Sequence, residues 1–221
     1  MAGAVRRPPV GGSAPLILIE HFEALDALLV VDAEGIALVD PDALDATDVG
    51  RALDPLTPLA RVDRLPAGVR VADAAAAARW TVAAEVLTGA LCAGLAAATC
   101  TMAVEYAKGR QQFGRPIGSF QAVKHLCADM LVRAEVARAA VEAAALSVDQ
   151  SGVGDPERAA AGAALLAGEA AVANAKACIQ VHGGMGFTWE VPAHLYLMRA
   201  RVLVSSLPRP AALAATVAAR Y

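Results

Sequence analysis

Cationic, amide and aromatic side chains are concentrated in one short stretch, Tyr106 to Gln121 (YAKGRQQFGRPIGSFQ), between two long alanine-rich runs. Gly114, Pro116 and Gly118 interrupt helical structure there, so the chain must turn and leave backbone N–H groups without helical partners. Free amides beside the planar guanidinium of Arg110 suit an anion such as a phosphate. The stretch predicts an anion-binding turn; an ordinary helix–turn–helix connection with a solvated arginine is the open alternative.

The same turn carries two aromatic rings and a candidate helix cap. Phe113 and Phe120 add flat apolar surface. Ser119 precedes the next apolar run, and we expect its hydroxyl to cap a helix that opens at Phe120.

A second glycine-rich stretch, Gln180 to Thr188 (QVHGGMGFT), follows about sixty residues later. Its glycines come after a predicted helix, whose carboxyl end repels anions, whereas a dinucleotide fingerprint places them before a helix. The sequence therefore does not predict a Rossmann-type site. A cofactor at this loop would be held by outward-turned backbone N–H groups or by Gln180; a glycine helix cap without a ligand is the alternative.

Together and in this order, RQQFGRPIGSFQ and QVHGGMGFT resemble the C-terminal half of the acyl-CoA dehydrogenases. The resemblance covers Asp73 to Arg201. It implies that both stretches contact FAD bound mainly by a neighbouring subunit. The residues that it assigns to cofactor binding are Arg110, Gln112, Phe113, Gln121, Gln180, Val181, Gly183 and Gly184.

The resemblance leaves the catalytic carboxylate of this family without a position. Family members remove the α-proton of a thioester with a glutamate while hydride passes from the β-carbon to flavin. The two places where that glutamate is found correspond here to Leu207 and Ala84, and neither can accept a proton. Glu85 lies next to Ala84, but one residue along a helix is a rotation of about 100°, so we interpret Glu85 as an interhelical carboxylate, with a catalytic role as the alternative.

Only part of a family member is covered by the resemblance. The amino-terminal helical domain and the strands that hold the flavin ring have no counterpart, so we expect either a fragment of a longer protein or one subunit of a hetero-oligomer. The chain resembles the non-catalytic subunit of heteromeric actinobacterial acyl-CoA dehydrogenases. That resemblance implies three partners: a second subunit that carries the carboxylate and forms a heterotetramer with this chain, an acyl-CoA substrate and an electron-transfer flavoprotein. A structural partner that binds no flavin is the alternative.

Composition and proline positions predict a mainly α-helical protein. Of the 221 residues, 57% are apolar but only 4% are aromatic, so the core must be built from Ala, Leu and Val in closely packed helices. The family resemblance implies an up-down four-helix bundle of acyl-CoA dehydrogenase type over residues 73–221, preceded by a small β-rich remnant of the family's middle domain over residues 1–72. The predicted helices run from about Ala74 to Lys108, from Phe120 to about Val148, from Pro156, with Asp155 as its N-cap, to about His182, from Pro192 to Arg201 and from Pro210 to Arg220. The predicted strands are Leu16 to Ile19, Leu28 to Val31, Ile36 to Val39 and Leu59 to Leu65.

Several other classes of protein fit the sequence poorly. The net charge of −3 and scattered Lys and Arg argue against nucleic acid. Val86 to Val104 is uncharged and long enough to span a bilayer, but its Ala, Gly and Thr content indicates a helix buried in a bundle instead. Glu190 and His194 lack the Glu-x-x-His spacing of a di-metal bundle, so no metal site is predicted.

The four cysteines have neither a CxxC pair nor a neighbouring pair of histidines, so no disulfide or metal site is expected from them. They fall inside predicted helices, and we interpret all four as buried core residues of a protein in a reducing, cytoplasmic compartment. They are Cys92, Cys100, Cys127 and Cys178.

Overall fold

A computed structural model describes residues 1–6 and 17–220, and that part of the chain contains five α-helices and nine β-strands. The helical fold class predicted from the sequence is confirmed. The chain divides into two compact units, Met1–Thr81 and Val82–Tyr221. Leu16, with which the first predicted strand begins, lies outside the described residues.

The first unit is built from two small sheets. A four-stranded sheet has the order β1-β3-β4-β7, and a three-stranded sheet has the order β2-β6-β5. Leu28, Val30 and Val62 are almost completely buried between them, with Ile17 and Ile19 beside them. The strands are β1 (Ala2–Arg6), β2 (Ile17–Glu20), β3 (Ala27–Asp32), β4 (Gly35–Val39), β5 (Ala46–Asp48), β6 (Leu59–Val62) and β7 (Val69–Asp73).

The hairpin predicted around Asp32 is confirmed. Strands β3 and β4 pair in antiparallel register, and the Asp32 carboxylate accepts hydrogen bonds from the backbone N–H groups of Glu34 and Gly35, at 3.0 and 3.1 Å. The strand predicted from Leu59 ends at Val62, three residues early. Strands β1, β5 and β7 were not predicted, because their pairing depends on partners distant in sequence rather than on local alternation.

Helices make up most of the second unit. The helices are α1 (Ala74–Gly109), which belongs to this unit from Val82 onward, α2 (Gln121–Asp149), α3 (Pro156–His182), α4 (Ala193–Ser206) and α5 (Pro210–Ala219). Two predicted starts are confirmed by side-chain caps. The carboxylate of Asp73 accepts from the N–H of Ala76 at 2.8 Å, and that of Asp155 accepts from the N–H of Arg158 at 2.9 Å.

Alanine fills the core between the helices of the bundle, and α3 is the most buried of them. Polar side chains are buried in the bundle as well, among them Thr99 and Asn174. Asn174 is fully buried; its amide nitrogen donates to the carbonyls of Ala96 on α1 and Met130 on α2, at 3.0 and 2.8 Å. Its oxygen accepts from the Arg133 guanidinium at 2.8 Å. Asn174 therefore ties three helices together.

Helix α1 is long and apolar enough, by length and composition, to cross a membrane. It also supplies Val86, Cys92 and Ala96 to the bundle core. All four thiols are free: Cys92, Cys100 and Cys178 are buried as predicted, whereas the prediction of a buried Cys127 is wrong, since it is only partly buried. Burial raises the pKa of Cys178 to about 12.

Candidate functional site

The stretch that follows α1 forms a short β-hairpin with two residues in each strand, and this hairpin was not predicted. Strand β8 (Gln111–Gln112) pairs with β9 (Arg115–Pro116), and Phe113 and Gly114 form the turn with φ values of 54° and 75°. Two consecutive positive φ angles are typical of a tight hairpin turn, and such a value is uncommon for phenylalanine. The backbone N–H of Ile117 donates to the Arg110 carbonyl at 2.8 Å and closes the hairpin at its base.

The hairpin leads into α2 through a short 3-10 helix, Ile117–Ser119. Here the prediction of a Ser119 cap is wrong. Helix α2 begins at Gln121 with Phe120 in the N-cap position, and the Ser119 hydroxyl is buried without a hydrogen-bond partner in the described chain. Ser119 belongs to the preceding turn, which packs on α1: a Cβ at Gly118 would lie 2.9 Å from the carbonyl oxygen of Ala107.

Some side chains of the hairpin region pack on the Phe120 ring, whereas others make no contact through hydrogen bonds or ion pairs in the described chain. Arg115 lies over the ring of Phe120, 4.2 Å from its centroid, and Phe113 meets the same ring edge-on at 6.2 Å while remaining 92% exposed. Arg110 and Gln121 are exposed and have no hydrogen bond or ion pair from their side chains among residues 1–6 and 17–220. Arg110 is thus available to an external anion.

Helix α3 ends at His182, as predicted, and Gly183 follows with φ of 61° and donates its N–H to the Gln180 carbonyl. The loop then continues as a 3-10 helix, Gly183–Phe187. Gly186 holds this loop against α3, because a Cβ there would lie 2.7 Å from the carbonyl oxygen of Ile179. By contrast, a Cβ at Gly183 or Gly184 would meet nothing within 4 Å, so the backbone there is open to a ligand.

Two aromatic rings join the hairpin to the glycine loop. The phenol ring of Tyr106 stacks on the imidazole of His182, with centroids 4.1 Å apart and an angle of 26° between the planes. Tyr106 is one turn before Arg110, whose N–H donates to its carbonyl, and His182 directly precedes Gly183. The two predicted motifs, about sixty residues apart in sequence, therefore approach each other where α1 and α3 end.

His182 is fixed in this position by a hydrogen bond from Nδ1 to the carbonyl oxygen of Cys178, at 2.8 Å. Because a carbonyl only accepts, Nδ1 carries the proton of this bond.

A cavity of about 290 Å³ opens beside the glycine loop. Three of the residues assigned to cofactor binding line this cavity: Gln180, Gly183 and Gly184. Helix α3 adds Lys176 and Ile179, the loop adds Phe187, and α4 adds Leu197. Val181 points elsewhere: its side chain is 8% exposed and packs in the core, so only its main chain is left for a ligand. Lys176 was not singled out from the sequence, because a lone lysine in a helix carries no pattern.

Of the three positions considered for a catalytic base, two hold no proton acceptor. Ala84 lies within α1, and Leu207 follows α4 as its C-cap residue. Glu85 is half-buried on α1 and already has an interaction partner. In the described part of the chain, no group of three His, Cys, Asp or Glu side chains could hold a metal ion. His194 is occupied with the carbonyl of Val191, at 3.1 Å.

A family model and a relative of known sequence indicate the same protein family. Residues 70–204 match the family described as acyl-CoA dehydrogenase, C-terminal domain. Acyl-CoA dehydrogenase FadE34 of Mycobacterium tuberculosis is 49% identical over 176 residues, which cover 78% of this chain and 24% of FadE34.

Solved structures share the fold. The ChsE4-ChsE5 complex from Mycobacterium tuberculosis superposes with a TM-score of 0.80 at 24% identity, over 98% of this chain and 61% of the matched chain. The Tcur3481-Tcur3483 steroid ACAD gives a TM-score of 0.79 at 24% identity, over 99% of this chain and 61% of the matched chain. This chain thus spans about a quarter of FadE34 and less than two thirds of either solved chain. The chain belongs to the acyl-CoA dehydrogenase family, and the matched residues correspond to the C-terminal domain of that family.

Proposed function

We propose that this chain completes the FAD site of an acyl-CoA dehydrogenase across a subunit interface. The observation that carries the proposal is the stack of Tyr106 on His182, which places the Arg110 hairpin next to the Gly183 loop. FAD is the cofactor that membership in this family indicates. The residues proposed to contact it are Arg110, Gln112, Phe113, Gln121, Gln180, Val181, Gly183 and Gly184.

The chemistry of these groups fits a dinucleotide. The guanidinium of Arg110 is exposed and unpaired in the described chain, and its planar donors suit the oxygens of a diphosphate. Gly183 and Gly184 let a ligand approach the backbone closely, since no neighbouring atom occupies the space where a Cβ would stand. The exposed amides of Gln121 and Gln180 can donate to ring nitrogens or ribose oxygens.

The reaction that we propose for the complete protein is α,β-dehydrogenation of an acyl-CoA thioester. When bound, FAD supplies the hydride acceptor for the substrate β-carbon. In this chain, Ala84 and Leu207 cannot take the α-proton, and Glu85 already has a partner. We infer that the base is a carboxylate from another part of the protein or from a second subunit, and that the role of this chain is to bind and orient the cofactor.

The solved relatives support a hetero-oligomer. ChsE4-ChsE5 is a complex, and the Tcur3481-Tcur3483 assembly is described as a steroid ACAD. By analogy we propose a heterotetramer in which the partner carries the carboxylate, a cytoplasmic location, and an electron-transfer flavoprotein as electron acceptor. A bulky apolar thioester such as a steroid acyl-CoA is the substrate class that the Tcur3481-Tcur3483 structure suggests.

Purification of the native assembly through a tag on this chain tests the proposal. We expect a yellow complex whose flavin absorbance at about 450 nm decreases when an acyl-CoA is added anaerobically, because the substrate reduces the bound flavin. A colourless, stable assembly of this chain alone would instead support a structural partner without flavin. A Glu85→Gln variant is the internal control: loss of bleaching with flavin still bound would place the base in this chain.

A further inference from the structure

We propose that Lys176 binds the diphosphate of FAD, as a cationic contact that belongs to neither sequence motif. This inference rests on the proposed function, because it takes the cavity beside the glycine loop as part of the FAD site. Lys176 lies on α3 one turn before Gln180 and lines the same cavity as Gly183 and Gly184. Its ammonium group is exposed and makes no hydrogen bond or ion pair with residues 1–6 or 17–220.

The direction of α1 and α3 explains why a phosphate at this site would need the positive charge of Lys176. Both α1 and α3 end at the site, and the carboxyl end of a helix carries a partial negative charge that disfavours a bound phosphate. A diphosphate next to Gly183 therefore needs cations to offset two unfavourable helix ends. Arg110 follows the end of α1, and Lys176 lies one turn and a half before the end of α3. Each helix end is thus accompanied by one cation without a partner in the described chain.

The size and walls of the cavity indicate which part of a ligand it takes. Its volume of about 290 Å³ is at the lower limit for a site that encloses a whole small molecule. It therefore suits part of a dinucleotide. Ile179, Phe187 and Leu197 form an apolar wall suited to a flat ring, and Lys176 supplies a charge for phosphate at the same opening. An adenosine diphosphate group combines both properties.

FAD and coenzyme A both carry an adenosine diphosphate group. We assign the cavity to FAD because Gln180, Gly183 and Gly184, which line it, belong to the motif proposed to contact the cofactor. An ordinary role for Lys176 is to stabilise the end of α3 by its charge, and that role changes the stability of the fold but not the affinity for a nucleotide.

Lys176→Gln in the native assembly tests the assignment. After removal of flavin, the dissociation constants for FAD and for FMN are measured by fluorescence titration, since FMN lacks the adenosine phosphate half. We expect FAD binding to weaken about fivefold at low salt and by less in high salt, with a smaller effect on FMN, which keeps only one of the two phosphates. Lys176→Arg should restore most of the affinity.

Arg209→Gln is the matched control. Arg209 is exposed, has no partner in the described chain and precedes α5, which packs on Ala161 and Ala164 of α3. The nearer of these is about 18 Å along the helix from Lys176. This substitution removes the same charge and should leave the affinity for FAD unchanged.

Each other outcome overturns the inference in a distinct way. An unchanged affinity for FAD with a lowered melting temperature would assign Lys176 to the helix end alone. An unchanged affinity for FAD with a raised KM for acyl-CoA would assign the cavity to the nucleotide of coenzyme A. If Gln180→Ala weakens FAD binding and Lys176→Gln does not, only the role of Lys176 is wrong. If the unmodified assembly binds no FAD, the proposed function fails as well.

Discussion

The ring of Tyr106 lies against the imidazole of His182, with centroids 4.1 Å apart. This pair fixes the ends of α1 and α3 side by side. Each ring lies within four residues of a proposed cofactor contact: Tyr106 precedes Arg110, and His182 precedes Gly183. The pair contributes to function by position: it determines the spacing of the groups that would contact FAD.

Removal of the Tyr106 ring should therefore weaken cofactor binding without deleting a proposed contact. Tyr106→Ala is expected to lower the free energy of unfolding by about 2 to 3 kcal/mol, because a stacked, half-buried ring is lost. FAD affinity should fall with it. Tyr106→Phe keeps the stack and should bind FAD normally. Urea unfolding and FAD titration measure the two effects, and normal FAD affinity in Tyr106→Ala would show that the stack does not position the site.

Asn174 should be one of the most sensitive polar positions in the bundle. Asn174→Ala removes hydrogen bonds to the carbonyls of Ala96 and Met130 and to Arg133 in a fully buried place. We expect a loss of about 2 to 4 kcal/mol in the free energy of unfolding, measured by urea denaturation. Arg133→Ala deletes only one of these bonds, at a partly buried position, and should cost less. A loss below about 1 kcal/mol for Asn174→Ala would contradict this account.

The thiols should differ in reactivity. Burial raises the pKa of Cys92 to about 11 and that of Cys178 to about 12, so neither forms thiolate at neutral pH. Cys127 is the least buried of the four, and we expect it to react first with a thiol reagent at about pH 8, with Cys92 and Cys178 labelled only after unfolding. Mass spectrometry of the labelled protein identifies the sites. Fast labelling that persists in Cys127→Ser would contradict the assignment.

The junction between α3 and α5 should be sensitive to acid. The backbone N–H of Arg158 and then the guanidinium of Arg220 hold the pKa of the Asp155 carboxyl below its usual value. Because the folded pKa is lower than the unfolded one, this carboxylate stabilises the fold fully above the unfolded pKa, about 3.9, and that contribution is lost as pH falls through the folded pKa. Asp155→Asn keeps a helix cap but removes the charge.

Melting temperatures of the two proteins should accordingly differ at pH 7, begin to converge below about pH 4 and become alike only once the pH has fallen through the lowered pKa of Asp155. Arg220→Gln removes one of the interactions that lower the pKa of Asp155, so its melting temperature at pH 7 should lie between those of the wild type and Asp155→Asn. Parallel pH profiles for the wild type and Asp155→Asn would show that this carboxyl does not contribute as described.

Local chemistry made the helix ends predictable. Asp73, Asp155 and Gly183 were assigned correctly because a capping carboxylate or a glycine at a helix end acts within one turn of its own position. Ser119 was assigned wrongly, since the same residue type also favours turns, and here a 3-10 turn packed on α1 includes it.

Features that depend on distant partners could not be read from the sequence. The positive φ of Phe113 is stabilised by a hairpin that closes on Arg110, and β1 runs parallel to β3 only because the fold brings them together. The motifs predicted a set of candidate cofactor contacts, which stay predictions, but they did not predict that Tyr106 stacks on His182 or that Lys176 lines the same cavity as Gln180. Such relationships arise from helix packing, which leaves no local signature.

The flavin content of the Arg110→Ala assembly tests the central claim most directly, with Arg115→Ala as the control from the same hairpin. Arg115 is engaged with the Phe120 ring, whereas Arg110 has no partner in the described chain. After gel filtration, FAD per protomer is measured by absorbance of the released flavin. We predict at least about tenfold weaker FAD binding, and so a nearly colourless assembly, for Arg110→Ala, with near-normal content for Arg115→Ala. Unchanged flavin content in Arg110→Ala would contradict the proposal that this chain completes a flavin site.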